Sequence, residues 1–104
     1  MMSRLVLTAV DGTWSCTVPS GTKRVLGRAS GQADVVLRDL SVARRHAVVF
    51  EQDHVWHIED LGSHCGIYVN DVAAVGSRRL AQGDTVRIGA ISLVVAIQDD
   101  AGPV

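Results

Sequence analysis

Short apolar runs follow one another along the whole chain, each broken within a few residues by Gly, Asp, Asn or Pro. Within the runs the spacing is that of β-strands, whose side chains alternate between two faces. Residues 5–10 form one such run and stop at Asp11-Gly12, where glycine admits the positive φ of a tight turn. Residues 14–18 alternate and end at Pro19-Ser20-Gly21, so the two runs predict a hairpin. Residues 24–26 and 35–37 are two further short strands, and 47–51 and 55–59 flank Gln52-Asp53-His54 as a second hairpin. Residues 67–69 turn at Asn70-Asp71 and return through 72–75, while 85–88 and the longest run, 91–97, join at Gly89-Ala90. No window carries a convincing amphipathic helix; the nearest candidate, residues 77–81, is a single turn at most.

Ten or eleven short strands at this spacing predict an all-β fold. Two packed sheets in a β-sandwich are the first expectation, and a small closed barrel is the alternative. The expected core is Leu7, Val25, Val36, Val48, Phe50, Trp56, Ile58, Val69, Val86, Ile88, Leu93 and Val95. Such a fold carries its variable chemistry on the loops at one end.

Size and charge narrow the function. At 104 residues the chain has the length of one domain, expected over residues 1–97, with 98–104 a flexible tail or the start of a linker. A formal net charge of −1 gives no reason to expect nucleic acid or an anionic membrane as partner. No apolar stretch approaches the ~18 residues of a membrane span. The start, Met-Met-Ser-Arg-Leu-Val-Leu, lacks the apolar block of a secretory signal, so a cytoplasmic location is expected. Cys16 and Cys65 have no CxxC spacing and are expected as free thiols. His46, His54, His57 and His64 are scattered, so no metal or cofactor is expected.

Three polar blocks interrupt this β pattern just outside apolar runs: Gly27-Arg28, Ala43-Arg44-Arg45-His46, and Asp60-Leu61-Gly62-Ser63-His64-Cys65-Gly66. They gather arginines and small polar residues on loops, the arrangement that presents a site for an anion. No Ser/His/Asp or Cys/His set accompanies them. His64 and Cys65 are the one nucleophile-like pair, and neighbours on an extended segment point to opposite sides, so no enzyme is expected.

Leu26-Gly27-Arg28, then residues 41–47, then the block from Asp60 through Asn70 together resemble a forkhead-associated (FHA) domain, and Gln82-Gly83-Asp84-Thr85-Val86-Arg87-Ile88-Gly89 is similar to that family's closing strand-turn-strand signature. The resemblance covers roughly residues 24 to 95. It implies an eleven-stranded β-sandwich whose loops bind phosphothreonine peptides. A phosphothreonine carries close to two negative charges and three acceptor oxygens, which arginine forks and small polar side chains satisfy.

Carried over by position, Arg28 matches the family's phosphate-facing arginine, and Gly27 ends the strand that aims it. Arg44 matches a residue that contacts peptide or phosphate, while Arg45 is expected to face solvent. His46 matches the family's structural histidine, and Ser63 and Gly66 match structural positions of the same loops. Two positions depart from the pattern. Ala43 stands where the phosphate-binding serine is expected, three residues before the histidine. Cys65 stands where an asparagine clamps the peptide backbone, and a thiol cannot replace an amide's paired donor and acceptor. Ser41 offers a hydroxyl two residues early, useful only if the loop has slipped. His64 occupies a phosphate-side position and, protonated, would place a cation beside the phosphate.

A hydrogen bond to a charged group contributes about 1.5–3 kcal/mol. Loss of the serine contact alone therefore weakens binding by roughly tenfold or more. The expectation carried forward is an FHA-type protein-interaction module with weakened or lost phosphothreonine recognition and phosphate-independent partner binding. The alternative is a functional phosphothreonine-binding domain that uses Arg28 and Arg44, assisted by His64. In either case the expected partner is a protein or peptide, and self-association is a further option.

Overall fold

A computed structural model describes residues 3–99. They form β1 (Ser3–Ala9), β2 (Ser15–Val18), β3 (Lys23–Gly27), β4 (Val35–Val36), β5 (Ala47–Gln52), β6 (Val55–Asp60), β7 (Ile67–Val69), β8 (Val72–Ala73), β9 (Ser77–Arg79), β10 (Thr85–Ile88) and β11 (Ile91–Asp99). One sheet has six strands in the order β2-β1-β11-β10-β7-β8, and the other has five in the order β4-β3-β5-β6-β9. All pairings are antiparallel except β3 with β4. The fold is the expected all-β sandwich. The described residues contain no helix, so none is long and apolar enough to cross a membrane.

Local chemistry explains the hairpins. Asp53 and His54 turn β5 into β6, and Asn70 and Asp71 turn β7 into β8, with positive φ at both central residues of each turn. That is the type I′ geometry whose twist matches the flanking strands. Asn70 also donates from Nδ2 to Asp84 (2.9 Å) and accepts from the Thr85 amide (3.0 Å), which ties this turn to the start of β10.

The core lies between the sheets. Leu5, Leu7, Val86, Ile88, Leu93 and Val95 from the six-stranded sheet meet Leu26, Val49, Trp56 and Ile58 from the five-stranded one. At ~25 cal/mol per Å² of apolar surface, each such side chain stabilises the fold by about 1.5–3 kcal/mol. Leu37, Val42 and Leu80 add loop residues to the same cluster.

Two sequence expectations need correction. Residues 77–81 do not make a helical turn; Ser77–Arg79 is the edge strand β9, paired with β6 through Ile58↔Arg78. Val25, Val36 and Phe50 are only half-buried and stand outside the core, whereas Leu26, Ala47 and Val49 fill it. Val48 is 7% exposed but faces away from the core cluster, opposite Val25. Strand β5 is apolar on both faces, so alternation alone could not tell the inner side from the outer. On the outer side Phe50 stacks on His57, with centroids 5.3 Å apart, and this covers much of the ring. Of the expected tail, Gln98 and Asp99 belong to β11, and residues 100–104 lie outside the described residues.

Candidate functional site

Three loops meet at one end of the sandwich, after β3, before β5 and between β6 and β7. The first two are laced through their backbones. The Arg28 amide donates to the Ala43 carbonyl (2.9 Å), the Ala29 amide to Arg44 (3.3 Å), and the His46 amide to Leu26 (2.8 Å). This approach requires glycine at position 27, because a Cβ there would overlap the Arg44 carbonyl.

His46 joins these two loops to the third. It is fully buried, its Nδ1 accepts from the Ala43 amide (3.0 Å), and its Nε2 donates to the Gly66 carbonyl (2.7 Å). With Nδ1 accepting, the ring proton belongs on Nε2. The His46 carbonyl then accepts from the Leu61 amide at 2.9 Å. In the third loop, Ser63 donates its hydroxyl to Asp60 and accepts from the Gly66 amide (2.9 Å). Asp60, Ser63, Gly66 and His46 thus form one connected frame.

The charges on this frame are unbalanced. Arg28, Arg38, Arg44 and Arg45 are all exposed, and among the described residues none has a carboxylate within ion-pair distance. Nearby acids are already occupied. Asp34 accepts from the Val25 amide (2.8 Å), Asp39 from the amide and hydroxyl of Ser41, and Asp60 from Ser63. The Ser41 hydroxyl and amide hold the Asp39 carboxyl below the ordinary aspartate value. Arg28 is also aimed: its Nε donates to the Val42 carbonyl at 3.0 Å, leaving the two terminal nitrogens of the fork free. An end of the fold with one anchored arginine, three further exposed ones and committed carboxylates is suited to an anion.

The family model for the FHA domain matches residues 24–89, a span that contains all three loops and runs through β10. The chain belongs to the FHA domain family. FHA domains are phosphothreonine-dependent protein-interaction modules and not enzymes. The glycogen accumulation regulator GarA of Mycolicibacterium smegmatis is 40% identical over 73 residues, 67% of this chain and 46% of that protein. An FHA domain of the CT664 protein from Chlamydia trachomatis superposes with a TM-score of 0.83 at 28% identity, covering 89% of this chain and 96% of that one. Another FHA domain, from work on phosphothreonine-dependent FHA interactions, superposes at 0.80 with 28% identity over 97% and 99% of the two chains. The chain spans less than half the length of the curated relatives it matches.

Within this FHA domain, the two departing positions lie inside the frame. Ala43 keeps its backbone ties to Arg28 and His46 but offers no hydroxyl. Cys65 is an exposed free thiol between His64, also exposed, and the Gly66 that His46 holds. Ser41 does not substitute for the missing serine. Its hydroxyl donates to Asp39 and accepts from the Ala90 amide (2.7 Å), and its side chain packs where Gly89 leaves room. Arg87 was not singled out from the sequence. It stands opposite Tyr68 in the β10–β7 pairing, with its guanidinium carbon 4.3 Å from the ring centroid. The alternation of β10 places Arg87 on the outward face, but only the register with β7 reveals the stacked pair.

Proposed function

We propose that this FHA domain binds phosphothreonine-containing protein segments weakly, holding the phosphate by arginine charge rather than by neutral hydrogen bonds. The observation that carries the reading is the Arg28 side chain, anchored through Nε to Val42 with its fork left open and no carboxylate partner among the described residues. Arg44 stands on the loop laced to it and supplies the second cation. Ala43 and Cys65 remove neutral partners that the resemblance assigns to the phosphate and the peptide backbone, and Ser41 is too committed to replace either. His64 is free to add a third charge when protonated.

Contact that needs no phosphate adds to this. Leu40 is 91% exposed at the tip of a turn whose backbone is held by Asp39, Ser41 and the buried Val42, so it offers an apolar side chain on the loop that also carries Arg44. A regulatory role, of the kind the name glycogen accumulation regulator gives the GarA relative, belongs to the same proposal.

The test is titration with a degenerate phosphothreonine peptide library and its unphosphorylated counterpart. Phosphopeptides should bind tighter, with an affinity that falls as salt rises. Arg28→Ala should remove the difference. Ala43→Ser with Cys65→Asn should strengthen phosphopeptide binding by roughly tenfold or more, the restored serine bond to the charged phosphate alone contributing about 1.5–3 kcal/mol. Equal binding of both libraries would overturn the reading.

A further inference from the structure

Among the described residues, nothing covers the outer face of the five-stranded sheet. Phe50, the chain's single phenylalanine, lies on this face outside the core and stacks on His57 at 12° between planes, making a flat aromatic ledge. Strand register sets the face out in two rows: Lys23, Phe50, His57 and Arg79, then Val25, Val48, Glu59 and Ser77. Lys23, Val48, Phe50, Glu59 and Leu61 share one open hollow of about 430 Å³, and Val55, His57 and Arg79 share another of about 330 Å³. Glu51 also borders the first hollow, but its carboxylate is filled by Ser3, Ser20 and Gly21. Lys23 and Glu59 have no ion-pair partner among the described residues. At ~4.8 Å between strands and ~6.6 Å between same-face residues, they stand roughly 12 Å apart on either side of β5.

We propose that a second copy of this chain docks here, five-stranded sheet against five-stranded sheet, about a two-fold axis. Such a contact requires each copy to offer both halves of every pair, and this face does. An axis passing diagonally between Val48 and Phe50 sets Lys23 of each copy against Glu59 of the other. The same operation lays Phe50 on His57 and Val48 on Val25 between copies, and takes Arg79 to Gln52, so no like charges meet. The strands of the two sheets then cross at roughly 70°, near the orthogonal class of sheet packing. An aromatic and apolar centre with charges at the rim matches the anatomy of a protein interface. Four strands and three outward rows span roughly 400 Å² per copy, about half of what a stable complex buries, so the dimer is transient and concentration-dependent. The arginine loops lie beyond the ends of β3 and β6 and stay open in each copy.

Sedimentation analysis of the full chain from roughly 10 μM to 1 mM tests this, since that range brackets transient affinities. Wild-type protein should pass from monomer to dimer within it. Lys23→Glu and Glu59→Lys should each weaken association by about tenfold, because each turns two attractive pairs into repulsive ones. An equimolar mixture of the two single variants should recover association, since every facing pair in the mixed dimer is again opposite in sign. Lys23→Glu with Glu59→Lys in one chain should recover it too, which guards against a fold effect of either single change. A monomer throughout, whether the face is bare or another protein covers it, would overturn the inference. So would a dimer indifferent to both single reversals, or a loss that neither the mixture nor the double reversal repairs.

Discussion

Glu51, at the end of the sandwich where β5 turns into β6, has its carboxylate filled by its own chain. It accepts from the Ser3 hydroxyl (2.9 Å), the Ser20 hydroxyl (2.7 Å) and the Gly21 amide (3.1 Å), and Ser3 in turn accepts from the Trp56 indole N–H (3.0 Å). At the opposite end Asp34, Asp39 and Asp60 are filled in the same manner, by amides and hydroxyls. The difference is in the cations. The loop end adds four exposed arginines for which the fold provides no acid among the described residues. Both ends use carboxylates to shape turns, but the loop end keeps the larger surplus, four arginines against Lys23 and Arg79 near the β5–β6 turn. An exposed, hydrated arginine costs the fold little to leave unpaired, because even a formed surface pair contributes only about 0–1 kcal/mol. The surplus is therefore compatible with stability and available to a ligand.

The comparison breaks most severely if the loop frame is removed rather than its charge. His46→Ala strands the Ala43 amide and the Gly66 carbonyl and opens a hole at a fully buried position. Each unsatisfied buried group costs about 1–3 kcal/mol, so the expected loss is roughly 3 kcal/mol or more. Urea denaturation measures it, and phosphopeptide binding should disappear with it. A loss below about 1 kcal/mol would mean that the ring does not tie the loops together.

Glu51→Ala attacks the closed end, with a smaller effect of roughly 1–2 kcal/mol, because the carboxylate is partly solvated and Trp56 keeps Ser3. Its pH dependence has a definite sign. The Ser20 hydroxyl is the main cause holding the Glu51 carboxyl below its ordinary value of 4.5; burial, the next largest, pushes it up, and Ser3, the Gly21 amide and the charge of His54 lower it further. A carboxyl lowered in the folded state contributes stability above its unfolded pKa and loses it as pH falls through the folded one. The gap in thermal stability between wild type and Glu51→Ala should be full at neutral pH and close on acidification below about pH 4. Phosphopeptide affinity at neutral pH should not change. A gap that widens in acid would contradict this account of Glu51.

How far the sequence alone reveals the two ends follows from where the information lies. Turn chemistry is local, so Asn70-Asp71 and Gln52-Asp53-His54 announce their hairpins, and the polar blocks announce the loop end. Strand β9 could not be seen, because Ser77-Arg78-Arg79 has no apolar residue and is a strand only by pairing with the free side of β6. The inner faces of β3 and β5 were misjudged because Val25, Val48 and Phe50 are as apolar as the residues that fill the core. At the site, residue types were legible but commitments were not. Nothing in Ser41 itself shows that Asp39 and Ala90 engage its hydroxyl, and nothing in Arg87 shows that Tyr68 lies beneath it. Those facts belong to contacts between segments far apart in the chain.

The smallest expected effect separates fixed charge from switchable charge at the loop end. Arg28 and Arg44 carry permanent charge, whereas a histidine is a cation only when its ring is protonated. If His64 supplements the arginines, lowering the pH from 8 to 6 should tighten phosphopeptide binding by a few-fold in wild type, in the range of about 0.5–1 kcal/mol for an exposed charge near an anion. Phosphothreonine itself begins to lose its second charge near pH 6, which works in the opposite direction. The informative quantity is therefore the wild-type pH response minus that of His64→Gln, since both titrate the same phosphate. A positive difference assigns the gain to His64. Identical pH profiles would leave the arginines as the whole of the anion site, and binding undetectable at both pH values would end the idea of compensation.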